Sequence, residues 1–476
     1  MSKKKVLAFD IGASNGRAIL GTYEGKEIEL EVIHKFSNGA EKAGEDQFWD
    51  ILKLLREVKT GLKKAGERED KIDSIAIDTW AVDYGLLDNN NSLMSNPYFY
   101  RDSRTDNLVE EVTGILSREE IYEKTGIQFM QINTLYQLYA DKKLRPWILE
   151  NADSMLFIPD LLNFFLTGKK YNEYTNVSTS QMFNPVKEEW VESIFEHLDI
   201  PVNIVNDLIY PGEKIGELTP DIKNECALEG DIPVMAVGSH DTASAVAATP
   251  FQNREKSIYI STGTWCLLGM ELDEPFINKE SSQENFTNEL GVEKRVRFLK
   301  NICGLWLIQE SKKSWEKQGL ELSYDDIEEA AEKAGPAEFK IDPNDDKFLN
   351  PEDMPKAIRE YCRETGQNIP RNYGEMARGI YESLAESYDK LINKLENMLE
   401  VNIETINMVG GGIRDELLCQ FTATATGRKV ITGPVEATAM GNILVQLMAL
   451  GEIENLDKGR EVIKNSVSLK NYYPVK

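Results

Sequence analysis

Two distant stretches of the chain share one design. LAFDIGAS (7–14) and IYISTGTW (258–265) each give an apolar strand, a polar residue at its end, a glycine two residues later and the start of a second strand. Around the first, the runs 5–11, 17–23 and 27–36 are separated by Asn15-Gly16 and Glu24-Gly25, so three strands joined by two hairpins are expected. Around the second, 257–262, 265–270 and 295–300 repeat the theme. A duplication of this kind implies two α/β domains with a cleft between them. It also sets Asp10 against Ser261, so only one half supplies a carboxylate at that place. The 476 residues have room for it, at about 150 residues per domain.

Periodicity fills in the remainder. Residues 46–65 read as an amphipathic helix with Phe48, Ile51, Leu52, Leu55, Val58 and Leu62 on one face. A strand at 72–78 ends in Asp78-Thr79-Trp80, and 105–210 reads as mostly helical. The apolar run 233–237 leads into Gly238-Ser239-His240-Asp241. Helices are expected at 304–318, 372–399, 415–426 and 437–449, with a strand at 405–409. The acidic, proline-containing stretch 335–355 reads as an insertion or long loop.

Composition removes several classes of function. Apolar residues at 41% and charged ones at 28% describe a soluble globular chain. The basic N-terminus is followed by an apolar stretch that Asp10 interrupts, which suits a strand better than a signal peptide. No apolar run approaches the ~20 residues that span a bilayer. The five cysteines include no Cys-x-x-Cys pair, so reduced thiols and a cytoplasmic location are expected. A net charge of −26 repels nucleic acid and anionic membranes, so neither is expected as a partner. The same field would repel ATP, so any nucleotide site would have to be built locally from backbone amides, helix N-termini and a bound cation.

Four motifs bear on chemistry. DIGASNGR (10–17) puts a carboxylate at a strand end, where it could hold Mg²⁺, before small residues whose amides could approach a polyphosphate. It also reads as an ordinary Asn-Gly hairpin. STGTW (261–265) is a second, weaker candidate phosphate loop, and Gly410-Gly411-Gly412 could admit a flat ring before a helix. Asp241 could accept a proton from an attacking hydroxyl, although alone it reads more readily as a helix N-cap. His240 reads as a hydrogen-bonded strand-end residue. No G-x-x-x-x-G-K-[ST] or His-Glu-x-x-His occurs. Tyr100-Arg101-Asp102 mimics a protein-kinase catalytic loop, but no Asp-Phe-Gly follows it.

Together with DTWAVDYGLLD (78–88), YRDSRT (100–105), SHDTASAVAATP (239–250), LKNICGLWLIQE (299–310) and GPVEATAMGN (433–442), these motifs resemble the FGGY family of carbohydrate kinases. The resemblance runs almost end to end. It implies two RNase H-like domains of the actin/Hsp70/sugar-kinase superfamily closing on a cleft. Residues 1–244 would carry the sugar site, the phosphate loop and the metal, and 245–450 the nucleotide; 451–476 could pack back on the first domain. Asp241 becomes the proton acceptor, with Ala81, His240, Thr242 and Asn301 beside it on the sugar. ATP would lie along Ala13, Ser14, Asn15, Gly16 and Arg17, with Thr264, Gln309 and Gly411, and Mg²⁺ at Asp10. The narrower motifs resemble members acting on the 1-hydroxyl of L-rhamnulose. Ala81 and Leu290 replace usual glycines and Cys266 a usual serine, which leaves kinases of the fuculokinase or xylulokinase type as alternatives. A sugar- or nucleotide-sensing protein without catalysis is a further one. Monomer and homodimer are equally open.

Overall fold

A computed structural model describes residues 3–349 and 351–475. The chain divides into two compact units: Met1–Ala248 with Glu271–Phe298 and Ala437–Ser466, and Thr249–Met270 with Leu299–Glu436 and Val467–Lys476.

In the first unit, β1 (Lys4–Ile11), β2 (Asn15–Tyr23) and β3 (Ile28–Ser37) form the expected antiparallel meander. Helix α1 (Ile51–Gly66) follows, then β4 (Ser74–Thr79), β5 (Lys214–Glu217), β6 (Pro233–Met235) and α2 (Asp241–Ala247). The sheet order is β5-β6-β4-β1-β2-β3. Strand β4 lies parallel to β1. These two are buried on both faces, which explains their nearly continuous apolar sequences.

The expected helix at 46–65 is shorter than its periodicity suggested. Asp46–Trp49 is a strand paired with Ala40–Ala43, and the helix starts only after Asp50, whose side chain accepts from the Lys53 N–H at 3.0 Å. Phe48 therefore lies outside it. Leu52 is exposed, and the buried stripe is Ile51, Leu54, Val58, Leu62 and Ala65. Gly61 fixes that rotation: a Cβ there would lie 2.5 Å from the Phe9 ring and 2.8 Å from Ala18.

The second unit repeats the arrangement with β7 (Ser257–Thr262), β8 (Trp265–Leu272), β9 (Thr405–Val409), β10 (Lys429–Thr432) and β11 (Lys470–Tyr472). Strand β7 runs antiparallel to β8 and parallel to β9, as β1 does to β2 and β4. The duplication read from two short sequence matches is thus present in strand pairing. Helices α3 (Trp306–Lys317), α4 (Tyr373–Leu399) and α5 (Glu416–Thr426) fall where periodicity put them. The stretch 335–355 is largely without regular structure, but it is anchored by buried Phe339, Ile341 and Phe348. After β10 the chain returns to the first unit as α6 (Ala437–Ala449).

Candidate active site

Two carboxylates stand side by side at the ends of parallel strands, since Asp10 on β1 is in register with Asp78 on β4. Both are buried. Arg17, across the hairpin, donates to Asp10 Oδ2 at 2.6 Å. Asp78 Oδ2 accepts from Asn442 Nδ2 at 2.6 Å, and Asn442 is itself held by Gln446 and through it by Ser74. Burial, and then the negative charge of Asp10, push Asp78 well above the usual carboxylate range. Asp78 Oδ1 has no hydrogen-bond partner among the described residues. Paired carboxylates with a free, buried oxygen suit a hard cation such as Mg²⁺.

Asp241 is the first residue of α2, and His240 occupies the N-cap position with no side-chain cap. Its carboxylate is therefore not spent on capping, and the cap reading fails. The side chain is 31% exposed. Thr242 Oγ1 donates to its Oδ1 at 3.1 Å, and His240 Nε2 lies 3.5 Å from the same oxygen. The backbone here is clamped from behind. Buried Glu173 accepts from the Ser239 and Thr175 hydroxyls, each at 2.6 Å, and from three backbone N–H groups. The Thr175 hydroxyl oxygen in turn accepts from His240 N at 3.2 Å.

Near Ala81, Val82 has a φ of 68°, unusual for a β-branched residue. Asp83 follows, fully buried, accepting from the indoles of Trp49 and Trp80 at 2.6 and 2.9 Å and from Gln137 at 2.7 Å. Asp102 of the kinase-like Tyr-Arg-Asp triplet accepts from the backbone N–H groups of Gln47 and Arg104, a loop-fixing role.

The 10–17 loop closes through Gly12 N to Asn15 O at 2.9 Å and is pinned by Asn38, which donates to Gly12 O and Ser14 O. Ser14 and Asn15 are exposed and Ala13 half-buried. Gly16 has a packing reason of its own, because a Cβ would lie 2.2 Å from the Phe36 ring. In the second unit, Thr264 Oγ1 donates to Gln309 Oε1 at 3.1 Å, joining two of the predicted nucleotide residues. A Cβ at Gly410 would lie 2.8 Å from Thr262 O, and one at Gly412 2.8 Å from both Thr262 and Leu305. Nothing lies within 4 Å of one at Gly411, which leaves that glycine the accessible member of the three. Asn301 is half-buried on the strand Val296–Cys303.

The sequence pattern described for the FGGY family of carbohydrate kinases matches in both parts, its N-terminal domain over residues 5–247 and its C-terminal domain over 258–450. The chain belongs to this family. Among similar proteins, this FGGY kinase is 43% identical to a rhamnulokinase of Bacteroides thetaiotaomicron, over 99% of this chain and 96% of that one. It is 40% identical to a rhamnulokinase of Bacillus subtilis, over 98% and 95%. A gluconate kinase structure from Lactobacillus acidophilus superposes with a TM-score of 0.81 at 16% identity, covering 100% of this chain and 94% of that one. A Plasmodium falciparum glycerol kinase with ADP gives 0.79 at 14% identity, covering 99% and 94%. These structures establish the fold, that of the two-domain sugar kinases. The expected fold class therefore holds.

Sequence reasoning missed Asp78 and Glu173. Only Asp78 had a legible signal, a strand-end carboxylate like Asp10 on a second buried apolar strand.

Proposed function

We propose that this kinase transfers the γ-phosphoryl group of ATP to the 1-hydroxyl of L-rhamnulose, with Asp241 as general base. The substrate rests on the near full-length likeness to curated rhamnulokinases. The base rests on one observation: Asp241 is partly exposed and free of capping duty, while Asp10 and Asp78 beside the same sheet are buried.

As the sugar oxygen bonds to the γ-phosphorus, Asp241 takes the hydroxyl proton and ADP departs with the electrons of the broken β–γ bond. Residues 13–17, Thr264, Gln309 and Gly411 hold the nucleotide, and His240, Thr242, Ala81 and Asn301 contact the sugar. Asp10 would hold Mg²⁺, which when bound supplies positive charge against the phosphate oxygens. Residues 1–244 carry the metal group and the sugar contacts other than Asn301, and 245–450 carry Asn301 and the remaining nucleotide contacts. The enzyme works in the cytoplasm on small molecules, without nucleic acid or membrane as partner. Its five free thiols support that location, and no helix among the described residues is long and apolar enough to cross a membrane.

A panel of L-rhamnulose, L-fuculose and D-xylulose with coupled ADP detection tests the reading. The highest kcat/KM is expected for L-rhamnulose. A higher value for another sugar, or ATP turnover that no sugar stimulates, overturns it.

A further inference from the structure

We propose that Arg297 is a positioning residue that holds His240 as the neutral Nε2–H tautomer, its N–H turned toward Asp241. This rests on the reading of Asp241 as the base. All the groups involved lie in the first unit.

Arg297 is completely buried. Its Nε and Nη2 donate to Leu290 O at 3.1 and 2.9 Å, which fixes the plane of the guanidinium. Both Nη atoms then lie 3.3 Å from His240 Nδ1. A guanidinium has donors only and stays protonated, so the ring nitrogen facing it must offer a lone pair. The proton then sits on Nε2, 3.5 Å from Asp241 Oδ1. Glu289 Oε2 also stands 3.3 Å from Nδ1 and could accept from a protonated Nδ1. It is, however, 3.1 Å from Arg297 Nη1, so the guanidinium already answers its charge. Two donors converge on Nδ1 against one competing acceptor. The ring has little freedom to turn away, because His240 is buried and its backbone N–H is tied to Thr175.

The consequence is chemical. An imidazolium beside Asp241 would stabilise its ionised form and weaken it as a base, whereas a neutral ring can orient the carboxylate or a sugar hydroxyl without that cost.

The chain has three histidines, so long-range ¹H–¹⁵N NMR can resolve each ring, with His240→Gln assigning the signal. In the wild type His240 shows an unprotonated Nδ1 and a protonated Nε2. Glu289→Gln keeps this pattern, because Arg297 remains. Arg297→Met loses it and lowers kcat/KM for L-rhamnulose roughly 10–100-fold, the size of an orientation effect, with the ATP Kd unchanged. Should Arg297→Met fail to fold, the wild-type and Glu289→Gln spectra still decide. A wild-type His240 protonated at Nδ1, or a tautomer that Glu289→Gln or a folded Arg297→Met variant shifts against these expectations, overturns the proposal. Absence of ketose turnover in the wild type would instead remove the functional reading and leave the tautomer result standing.

Discussion

Asp83 buries a carboxylate against two indoles and an amide. Burial raises it to about 7, with the three N–H donors and the Arg104 charge pulling the other way. The unfolded value is about 3.9. The folded chain therefore binds this proton more tightly than the unfolded one. The resulting stability is fully present below about pH 4 and is lost as pH rises through about 7, at about 1.4 kcal/mol for each pH unit between the two values. Asp83→Asn removes the titration, so urea unfolding from pH 4.5 to 8 should show the variant gaining on the wild type up to about pH 7 and levelling off above it. A constant difference across that range would contradict this. Residues of this kind were hidden from sequence reading for a physical reason. Glu173 meets Ser239, and Arg297 meets His240, only after segments 66 and 57 positions apart fold together. Asp241 was legible as a helix N-terminus. Its release from capping became visible only when the helix was seen to begin at Asp241 itself, with His240 at the cap.

Helices α2 and α6 cross at Gly441, where a Cβ would stand 1.8 Å from Ser244 O. The contact is with backbone, so a methyl group forces the helices apart. Gly441→Ala is expected to destabilise the protein by about 1–3 kcal/mol, read by chemical denaturation. It should also lower kcat, because α2 starts at Asp241, the proposed base, and α6 carries Asn442, the partner of Asp78. Unchanged stability would mean that the crossing relaxes freely. At this scale the sequence was most informative: strands β1–β3 and the long helices α4–α6 followed from alternation and period. The lapse at 46–49 has the same origin. Phe48 continues the helical spacing, but Asp50 is the better stop, and four residues pair as a strand instead.

The whole molecule carries a net charge of −26. An anionic nucleotide approaches it against repulsion that salt screens over about 10 Å at 0.1 M. The kcat/KM for MgATP should therefore rise as salt increases from about 10 to about 150 mM, while kcat/KM for the uncharged ketose stays flat. A fall for ATP would show that local cations such as Arg17 dominate the approach. The duplicated strand theme announced two units from sixteen residues of sequence. What it could not announce was the chain path, in which residues 437–466 return to the first unit and the chain then re-enters the second at 467.

Asp241 is proposed to remove the proton from the sugar hydroxyl. The most direct test of this role is steady-state turnover of Asp241→Asn on L-rhamnulose, alongside the Kd for ATP. A fall in kcat of roughly 10²–10⁴-fold is expected, with ATP binding preserved. Turnover near the wild-type rate would contradict it.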